Sequence, residues 1–154
     1  MGWTEALVAA CEGRGGSVVS GGTASGVSAL APVLARAANA TSVGYLPARL
    51  PRGVRVDESY DALRRTDGRA FSLREPLACW EDLLAAGLRP SDVHMLGIGG
   101  GPLTSLELHL ATAVGANVAV AELGGDVPDG WSSWHRPPRA MVRDAAVLRR
   151  WLSS

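Results

Sequence analysis

The segment LGIGGGPLTSLELHL, residues 96–110, joins an apolar run to a helical pattern through three consecutive glycines. Glycine loses more conformational entropy on folding than other residues, so three in a row indicate a tight turn or a ligand that approaches the backbone closely. The apolar run predicts a buried strand over 93–98, and the spacing of the later leucines predicts a helix over 104–114. Strand, glycine loop and helix follow one another in this order in α/β proteins.

A second segment, VVSGGTASGV at residues 18–27, has the same order of apolar run, glycine pair, hydroxyl residues and helical pattern. The predicted strand covers 17–20, and apolar residues recur at helical spacing after the loop. Pro32 fits this helix only if the helix begins late, near Ser28, because proline is tolerated in a first turn and not in a helix interior.

Strands and helices continue to alternate along the chain. Further helices are predicted over 3–12 and 75–86, and further strands over 42–46 and 117–122. A last helix is marked by Met141, Ala145, Leu148 and Leu152. Because the strands are continuous apolar runs, we predict one domain over 1–154, a Rossmann-like three-layer α/β sandwich: a mainly parallel sheet with helices on both faces. A chain that begins with a helix and shows only about four strands leaves a sheet edge for a second subunit or upstream sequence to cover.

Two segments lack a clear period. Residues 47–73 are rich in arginine and turn residues, and so long a loop in a compact domain is usually functional or mobile. Residues 124–138, GGDVPDGWSSWHRPP, predict an irregular connection that begins with a turn. Within it, Trp131 and Trp134, next to His135, favour an anchor for the C-terminal helix or a subunit contact over a stack on an adenine.

Composition excludes several classes of function. The chain has 154 residues, 47 % of them apolar, and a formal charge of zero, so nothing indicates a nucleic-acid partner or an anionic membrane. It contains no lysine, which excludes a Schiff-base lysine and a P-loop lysine and leaves arginine as the main cationic phosphate ligand. With no signal peptide and no long apolar run, we predict a soluble cytoplasmic protein.

Cysteine and histidine residues indicate no metal site. Cys11 and Cys79 lie far apart in helical segments, and we expect free thiols in a reducing cytosol. His94, His109 and His135 lack the spacing of zinc ligands. We predict neither a metal nor a bound cofactor.

The two glycine loops predict one ligand site. In open α/β sheets the ligand lies beyond the carboxyl ends of the strands, where backbone N–H groups and helix dipoles at helix N-termini favour phosphate. Neither loop matches the dinucleotide fingerprint or the P-loop. The predicted phosphate ligands are Gly21, Gly22, Thr23, Ser25 and Gly26 in the first loop and Gly99, Gly100, Gly101 and Thr104 in the second.

A structural interpretation of the same residues stays open. The glycine pairs serve tight strand-to-helix turns in this view, and Thr104 with Glu107 forms a capping box in which Glu107 accepts a hydrogen bond from the Thr104 N–H. The occurrence of both loops in the same strand–glycine–helix context favours the ligand site.

The first loop resembles that of the SLOG superfamily, which groups the SMF/DNA-processing proteins with the Lonely Guy enzymes. VVSGGTASGV is most similar to the T-G-G-x-x-T-G-V loop of the branch found in melastatin-type TRP channels and bacterial sensor proteins. GGGPLTSLE at 99–107 resembles the P-G-G-x-G-T-x-x-E loop of the Lonely Guy enzymes, with Gly100, Gly101, Thr104 and Glu107 at matching positions. The resemblance covers about residues 17–122.

This resemblance implies a Rossmann-like domain that binds nucleotides or nucleotide-sugar derivatives. In the Lonely Guy branch the glutamate and an arginine cleave the N-glycosidic bond of a nucleoside monophosphate, whereas the sensor branch binds ADP-ribose-type ligands. Gly99 replaces the enzymes' proline, Leu103 replaces their glycine, and their H-E-R-K helix motif is absent. We therefore expect a sensor domain that binds an ADP-ribose-like molecule and controls an effector. The alternatives are a phosphoribohydrolase with Glu107 and Arg74 as catalytic residues, and a small-molecule carrier or scaffold.

Two arginines complete the predicted site. Arg69 and Arg74 offer a bidentate clamp for phosphate, and Glu107 offers a bond to a ribose hydroxyl. Solvated loop charge for Arg69 and a helix-surface ion pair for Arg74 are the alternatives. The expected partners are a nucleotide-derived small molecule, an effector domain or protein, and a second copy of the chain in a homodimer.

Overall fold

The computed structural model describes residues 2–121, 140–142 and 144–154. The chain divides into two compact units, Met1–Cys79 and Trp80–Ser154. The prediction of a single domain over the whole chain stays a prediction. The interpretations of the segment 124–138, including Trp131 and Trp134, fall outside the described residues.

The first unit contains two α-helices and a three-stranded parallel sheet. The strand order is β1-β2-β3, and the register pairs Ser17 with Thr41 and Val43 with Ala62. Helix α1 packs on α2, and α2 packs on β1 and β2. The elements are α1 (Trp3–Cys11), β1 (Ser17–Ser20), a 3₁₀ turn (Gly26–Leu30), α2 (Ala31–Ala38), β2 (Thr41–Leu46) and β3 (Ala62–Arg65).

Glycine sets how closely the first loop approaches the sheet. A Cβ built on Gly44 of β2 would lie 2.5 Å from the Cα of Gly22, so the loop after β1 passes directly over β2. Gly22 itself has φ +73°, and its own Cβ would lie 2.9 Å from Leu46. The glycine pair therefore serves the packing of this turn, whatever else binds there.

Proline marks the start of α2. The α-helix begins at Ala31, which places Pro32 in the first turn, where its missing N–H costs nothing. A 3₁₀ helix over Gly26–Leu30 fills the space between the loop and α2. The predicted late start is confirmed, three residues beyond Ser28.

The segment 47–73 is not wholly irregular, because it contains strand β3. Of the four residues in this strand only Leu63 is half-buried, which explains why no apolar pattern indicated it. Hydrogen bonds between Asp61, just before β3, and Ser42 of β2 hold the start of the strand instead. The buried Ser42 donates from its N–H (2.8 Å) and its hydroxyl (2.9 Å) to Asp61 Oδ2, and the Asp61 N–H donates to Ser42 Oγ (2.9 Å).

The second unit contains another three-stranded parallel sheet. The strand order is β4-β5-β6, and the register pairs His94 with Asn117 and Ala119 with Ala140. The unit boundary falls within α3. The elements are α3 (Arg74–Ala85), β4 (His94–Ile98), α4 (Pro102–Val114), β5 (Asn117–Ala121), β6 (Ala140–Val142) and α5 (Ala145–Leu152).

The core of the second unit lies between α4 and its sheet. Its buried members are Leu108, Ala111, Ala116, Val118 and Val120, and Trp80, Val93 and Met95 pack against them. A Cβ on Gly97 would lie 2.7 Å from Leu108 Cδ1, so glycine in β4 lets α4 approach the strand closely.

The predicted fold class is confirmed: parallel strands are flanked by helices in an α/β arrangement. The expected number of strands is wrong. The described residues form six strands in two sheets, because β3 has a single half-buried apolar residue and β6 is only three residues long. The last helix begins at Ala145, so the placing of Met141 in it is wrong: Met141 belongs to β6, where it pairs with Val120. No helix within the described ranges has the length and apolar character needed to cross a membrane.

The Asp61–Ser42 connection predicts a pH-dependent stability. The backbone and hydroxyl hydrogen bonds from Ser42 lower the pKa of Asp61. Since the folded-state pKa lies below the unfolded value of about 3.9, this contribution is present above that pH and is lost as the pH falls through the folded-state pKa. Asp61→Asn should lower the urea midpoint at pH 7, and the difference from the native protein should shrink below about pH 4.

The control for this experiment is Glu58→Gln, which removes an exposed carboxylate from the same segment. It should leave the urea midpoint close to that of the native protein. An equal loss of stability for Asp61→Asn at pH 7 and pH 3 would contradict the assigned role.

Candidate ligand-binding site

The first glycine loop, residues 21–26, uses part of its backbone for its own turn. The Thr23 N–H donates to Ser28 Oγ (2.9 Å), and the Ala24 N–H donates to the Arg55 carbonyl (2.9 Å). The Thr23 side chain is buried. A phosphate held at this loop therefore has to use N–H groups other than those of Thr23 and Ala24.

Of the other candidates in this loop, Ser25 and Gly26 face open space, whereas Gly21 and Gly22 have close neighbours. A Cβ on Gly26, at φ +62°, would meet nothing within 4 Å, and Ser25 is exposed. A Cβ on Gly21 would lie 3.5 Å from Ser28 Oγ and 3.9 Å from Phe71 Cε1. Phe71 belongs to the loop that follows β3, so the loops at the carboxyl ends of β1 and β3 lie close to each other.

A buried carboxylate shapes the loop after β3. Glu75, in the first turn of α3, accepts hydrogen bonds from the Thr66 hydroxyl (2.7 Å) and the Ser72 N–H (2.9 Å). The Ser72 hydroxyl in turn accepts from the Arg74 N–H (3.1 Å). Ser72 and Glu75 resemble a capping box in which Ser72 Oγ accepts from Arg74 instead of Glu75, and Glu75 holds both Thr66 and Ser72 of the loop at the start of α3.

The same loop lines an open cleft of about 420 Å³, which we call the arginine cleft, formed by residues 67–72 and Arg74. Arg74 forms an ion pair with Asp67, and both side chains are largely exposed, at 59 % and 86 %. The hydrogen bond from Arg74 and its charge lower the pKa of Asp67. The ion pair expected as the alternative role of Arg74 is thus present, and Arg69 lies exposed beside it.

The second glycine loop leads directly into α4. Gly99 and Gly100 have φ +56° and +105°, and Gly101 is the N-cap. A Cβ on Gly100 would lie 2.4 Å from Thr104 Oγ1, whereas Cβ atoms on Gly99 and Gly101 would meet nothing within 4 Å. Positive φ thus favours glycine at both Gly99 and Gly100, neighbouring atoms also exclude a side chain at Gly100, and Gly101 needs glycine for neither reason.

The predicted start of α4 is wrong by two residues. The helix begins at Pro102, which needs no N–H partner at that position, so Thr104 lies inside the first turn. The capping box between Thr104 and Glu107 is therefore also wrong. No side chain caps the N-terminus at Gly101, and no acidic residue lies in the first turn, so no carboxylate of that turn offsets the positive dipole end formed by its N–H groups. Glu107 is half-buried one turn further along.

The candidates fall into two groups. The first unit brings together Gly21, Arg69 and Arg74 around the arginine cleft, and it also contains Gly22, Thr23, Ser25 and Gly26. The second unit contains Gly99, Gly100, Gly101, Thr104 and Glu107. The joining of both groups in one site stays a prediction.

Asp67, Phe71 and Glu75 were missed by the sequence analysis. The pattern S-x-x-E before a helix was the available signal for Glu75, since SLRE at 72–75 precedes an amphipathic run. Nothing in the sequence indicated that Asp67 would pair with Arg74 seven residues away.

His94 and the two cysteines pack within secondary structure. His94 begins β4, and its ring packs edge-on against Trp151 at 5.1 Å between centroids. Cys11 and Cys79 are both half-buried in helices and form no disulfide with each other, and burial raises the pKa of the Cys11 thiol. Among the described residues, no group of three or more His, Cys, Asp and Glu side chains is placed to hold a metal ion.

The molybdenum cofactor carrier protein MCP from Chlamydomonas reinhardtii has a similar structure. The TM-score is 0.62 at 21 % sequence identity, and the match covers 98 % of this chain and 86 % of that protein. No protein-family model matches the chain, and no curated protein sequence matches it. The likeness supports the Rossmann-like fold.

The geometry of the second loop predicts that alanine substitutions at two adjacent glycines differ in how much stability they cost. Gly100→Ala should lower the free energy of unfolding by about 2 kcal/mol, because alanine resists positive φ and its Cβ would collide with Thr104. Gly101→Ala should cost less than about 1 kcal/mol, because its Cβ would face open space. Urea denaturation of both variants measures the difference, and equal losses would contradict the geometry.

Removing the buried Glu75 side chain should loosen the loop that follows β3. Glu75→Ala removes the acceptor of two hydrogen bonds and should lower the free energy of unfolding by about 2 kcal/mol. The control is Glu81→Ala, which removes an exposed carboxylate from the same helix and should stay within about 0.5 kcal/mol. Amide hydrogen exchange should be faster over residues 66–72 in Glu75→Ala, and unchanged exchange there would show that Glu75 does not hold the loop.

Proposed function

We propose that this chain is a small-molecule carrier that binds a phosphate-bearing ligand without converting it. The observation that carries the proposal is the arginine cleft, which lies after β3 and beside Gly21, at the carboxyl ends of parallel strands. Ligands of open α/β sheets bind at this end of the strands. The similar structure of a molybdenum cofactor carrier protein adds to the argument.

Charge favours an anionic ligand. Residues 47–74 contain seven arginines and four acidic residues, a net charge of +3, although the formal charge of the whole chain is zero. Guanidinium groups match the oxygens of phosphate in a bidentate geometry. The phosphate is therefore assigned to Arg69 and Arg74, and the open N-terminus of α4 is the second predicted contact.

Binding alone explains more of the site than hydrolysis does. A phosphoribohydrolase would use Arg74 on the phosphate and Glu107 at the ribose, but the chain lacks the H-E-R-K helix motif of the Lonely Guy enzymes. Gly99 and Leu103 also depart from the Lonely Guy loop. A carrier needs only an accessible site with exchangeable contacts, and an open cleft with exposed charges meets that need.

The structural similarity to a carrier protein and the sequence resemblance to the SLOG superfamily each indicate a ligand to test. The molybdenum cofactor is the first ligand to test, because the structurally similar protein is named for it. ADP-ribose is the second, because the first glycine loop resembles the SLOG sensor branch, to which we assign the chain as a proposal. An effector and a second copy of the chain stay the proposed protein partners.

Isothermal titration with the molybdenum cofactor, ADP-ribose and AMP tests the proposal, with chromatography of the same samples for products. We expect saturable binding of at least one ligand without turnover. Arg69→Gln should weaken it about tenfold, because a charged hydrogen bond to phosphate is lost. Arg52→Gln, which removes an exposed arginine of the same segment, should change the affinity less than about twofold.

The outcomes separate the candidate functions. Weakening by both Arg69→Gln and Gly101→Ala would support one ligand held by both loops. Release of free base from AMP, abolished by Glu107→Gln, would replace the carrier by the phosphoribohydrolase. Absence of binding for all three ligands would leave a scaffold whose glycines serve their turns.

A further inference from the structure

The arginine cleft contains its own anion. Asp67 and Arg74 both line it, and the Asp67 carboxylate accepts a hydrogen bond from the Arg74 guanidinium. Arg69 lies on the same loop, so the cleft carries two cationic side chains and one anionic side chain. An arriving phosphate has to meet Arg74 where a carboxylate is already bound.

We infer that Asp67 is a built-in competitor, which occupies Arg74 until an oxyanion of the ligand, a phosphate monoester, displaces it. This inference rests on the proposed function, since it concerns the same site. It assigns Asp67 a role in setting affinity and release that neither glycine loop supplies.

Because Asp67 and Arg74 are exposed, replacing Asp67 by a phosphate on Arg74 costs little free energy. Arg74 is 59 % exposed and Asp67 is 86 % exposed, and ion pairs between exposed side chains contribute little because water competes for both partners. A phosphate offers several oxygens to the guanidinium fork, whereas Asp67 meets one nitrogen, Nη1 of Arg74. The phosphate therefore gains more from Arg74 than Asp67 loses.

The backbone around Arg74 is held in place while the side chains exchange. The Arg74 N–H donates to Ser72 Oγ, and the neighbouring Glu75 is buried and fixed by Thr66 and Ser72. The Asp67 carboxylate, by contrast, is exposed and is bound by the Arg74 guanidinium and by its own backbone N–H. Displacement then requires only a side-chain rotation of Asp67.

The aromatic side chain of the cleft indicates what accompanies the phosphate. Phe71 lines the cleft and lies close to Gly21, so an apolar or flat group attached to the phosphate has a surface to pack on. Phenyl phosphate contains both parts and is a suitable probe. Inorganic phosphate is the matched probe that lacks the ring.

The test is a titration of the full chain with phenyl phosphate, followed by the ¹H–¹⁵N signals of Arg74 Nε–H and the amides of Gly68 and Arg69. Asp67→Asn should bind phenyl phosphate about two- to fivefold more tightly than the native chain, because the competing carboxylate is gone. Arg74→Gln should bind about tenfold more weakly. In the Arg74→Gln background, Asp67→Asn should have almost no further effect, because the two residues act through one contact.

The control is Asp92→Asn, which removes the same charge from the exposed Arg89–Asp92 ion pair of the second unit. It should leave the affinity unchanged. An equal gain in Asp92→Asn, or a gain from Asp67→Asn that persists without Arg74, would assign the effect to net charge and overturn the inference. Unchanged or weaker binding in Asp67→Asn, or no binding of phenyl phosphate at all, would overturn it too.

Failure of the inference and failure of the carrier function give different results. Binding of the molybdenum cofactor or ADP-ribose that does not respond to Asp67→Asn overturns the competitor and leaves the carrier. The predicted response to phenyl phosphate, without binding of either larger ligand, supports the competitor and overturns the proposed cargo.

Discussion

Both units depend on backbone passing so close to its neighbour that a side chain would collide. In the first unit, Gly22 and Gly44 bring the loop after β1 within contact of β2, where an added Cβ would lie 2.5 Å from a Cα. In the second unit, Gly97 lets α4 settle on β4 against Leu108. Close packing of this kind tolerates no added methyl without a shift of the backbone. The glycines that dominate the sequence motifs are therefore needed first for the fold.

This constraint changes how the motifs are interpreted. Gly22 and Gly100 are explained by positive φ and by neighbours that a Cβ would strike, so they give no independent sign of a ligand. Gly99, at φ +56°, is explained by its backbone conformation as well, so Gly101, which faces open space at the N-terminus of α4, is the better candidate in its loop. A motif match thus combines residues that shape a turn with residues that leave room for a ligand.

The chemistry of the first unit is concentrated on the loop after β3. A buried carboxylate, Glu75, organises the loop from inside, and an exposed pair, Asp67 and Arg74, lies on its outer side. The buried contacts are costly to break, whereas the exposed pair exchanges readily with solvent or ligand. A site that holds its backbone firmly and its charges loosely suits a protein that must bind a cargo and also release it.

Local pattern was sufficient for most of the secondary structure. Apolar runs, helical spacing and the position of Pro32 predicted the elements of the α/β fold, with the bounds of α2 and α4 moved by two or three residues. Strand β3 was not predictable in this way, because Ala-Leu-Arg-Arg buries little and becomes a strand by pairing with β2 and by the Ser42–Asp61 hydrogen bonds.

The sequence by itself determined the order of strands, glycine loops and helices, and the arginine-rich character of 47–74. Only the tertiary structure decided that this segment pairs as β3 and then turns to form a cleft beside Gly21. It also decided that Arg74 meets Asp67 and that Glu75 is buried. The physical reason is that these contacts join residues that no helical or strand periodicity relates. Their hydrogen bonds and ion pairs depend on where the loops lie in space, and local hydrophobic patterns do not encode that position.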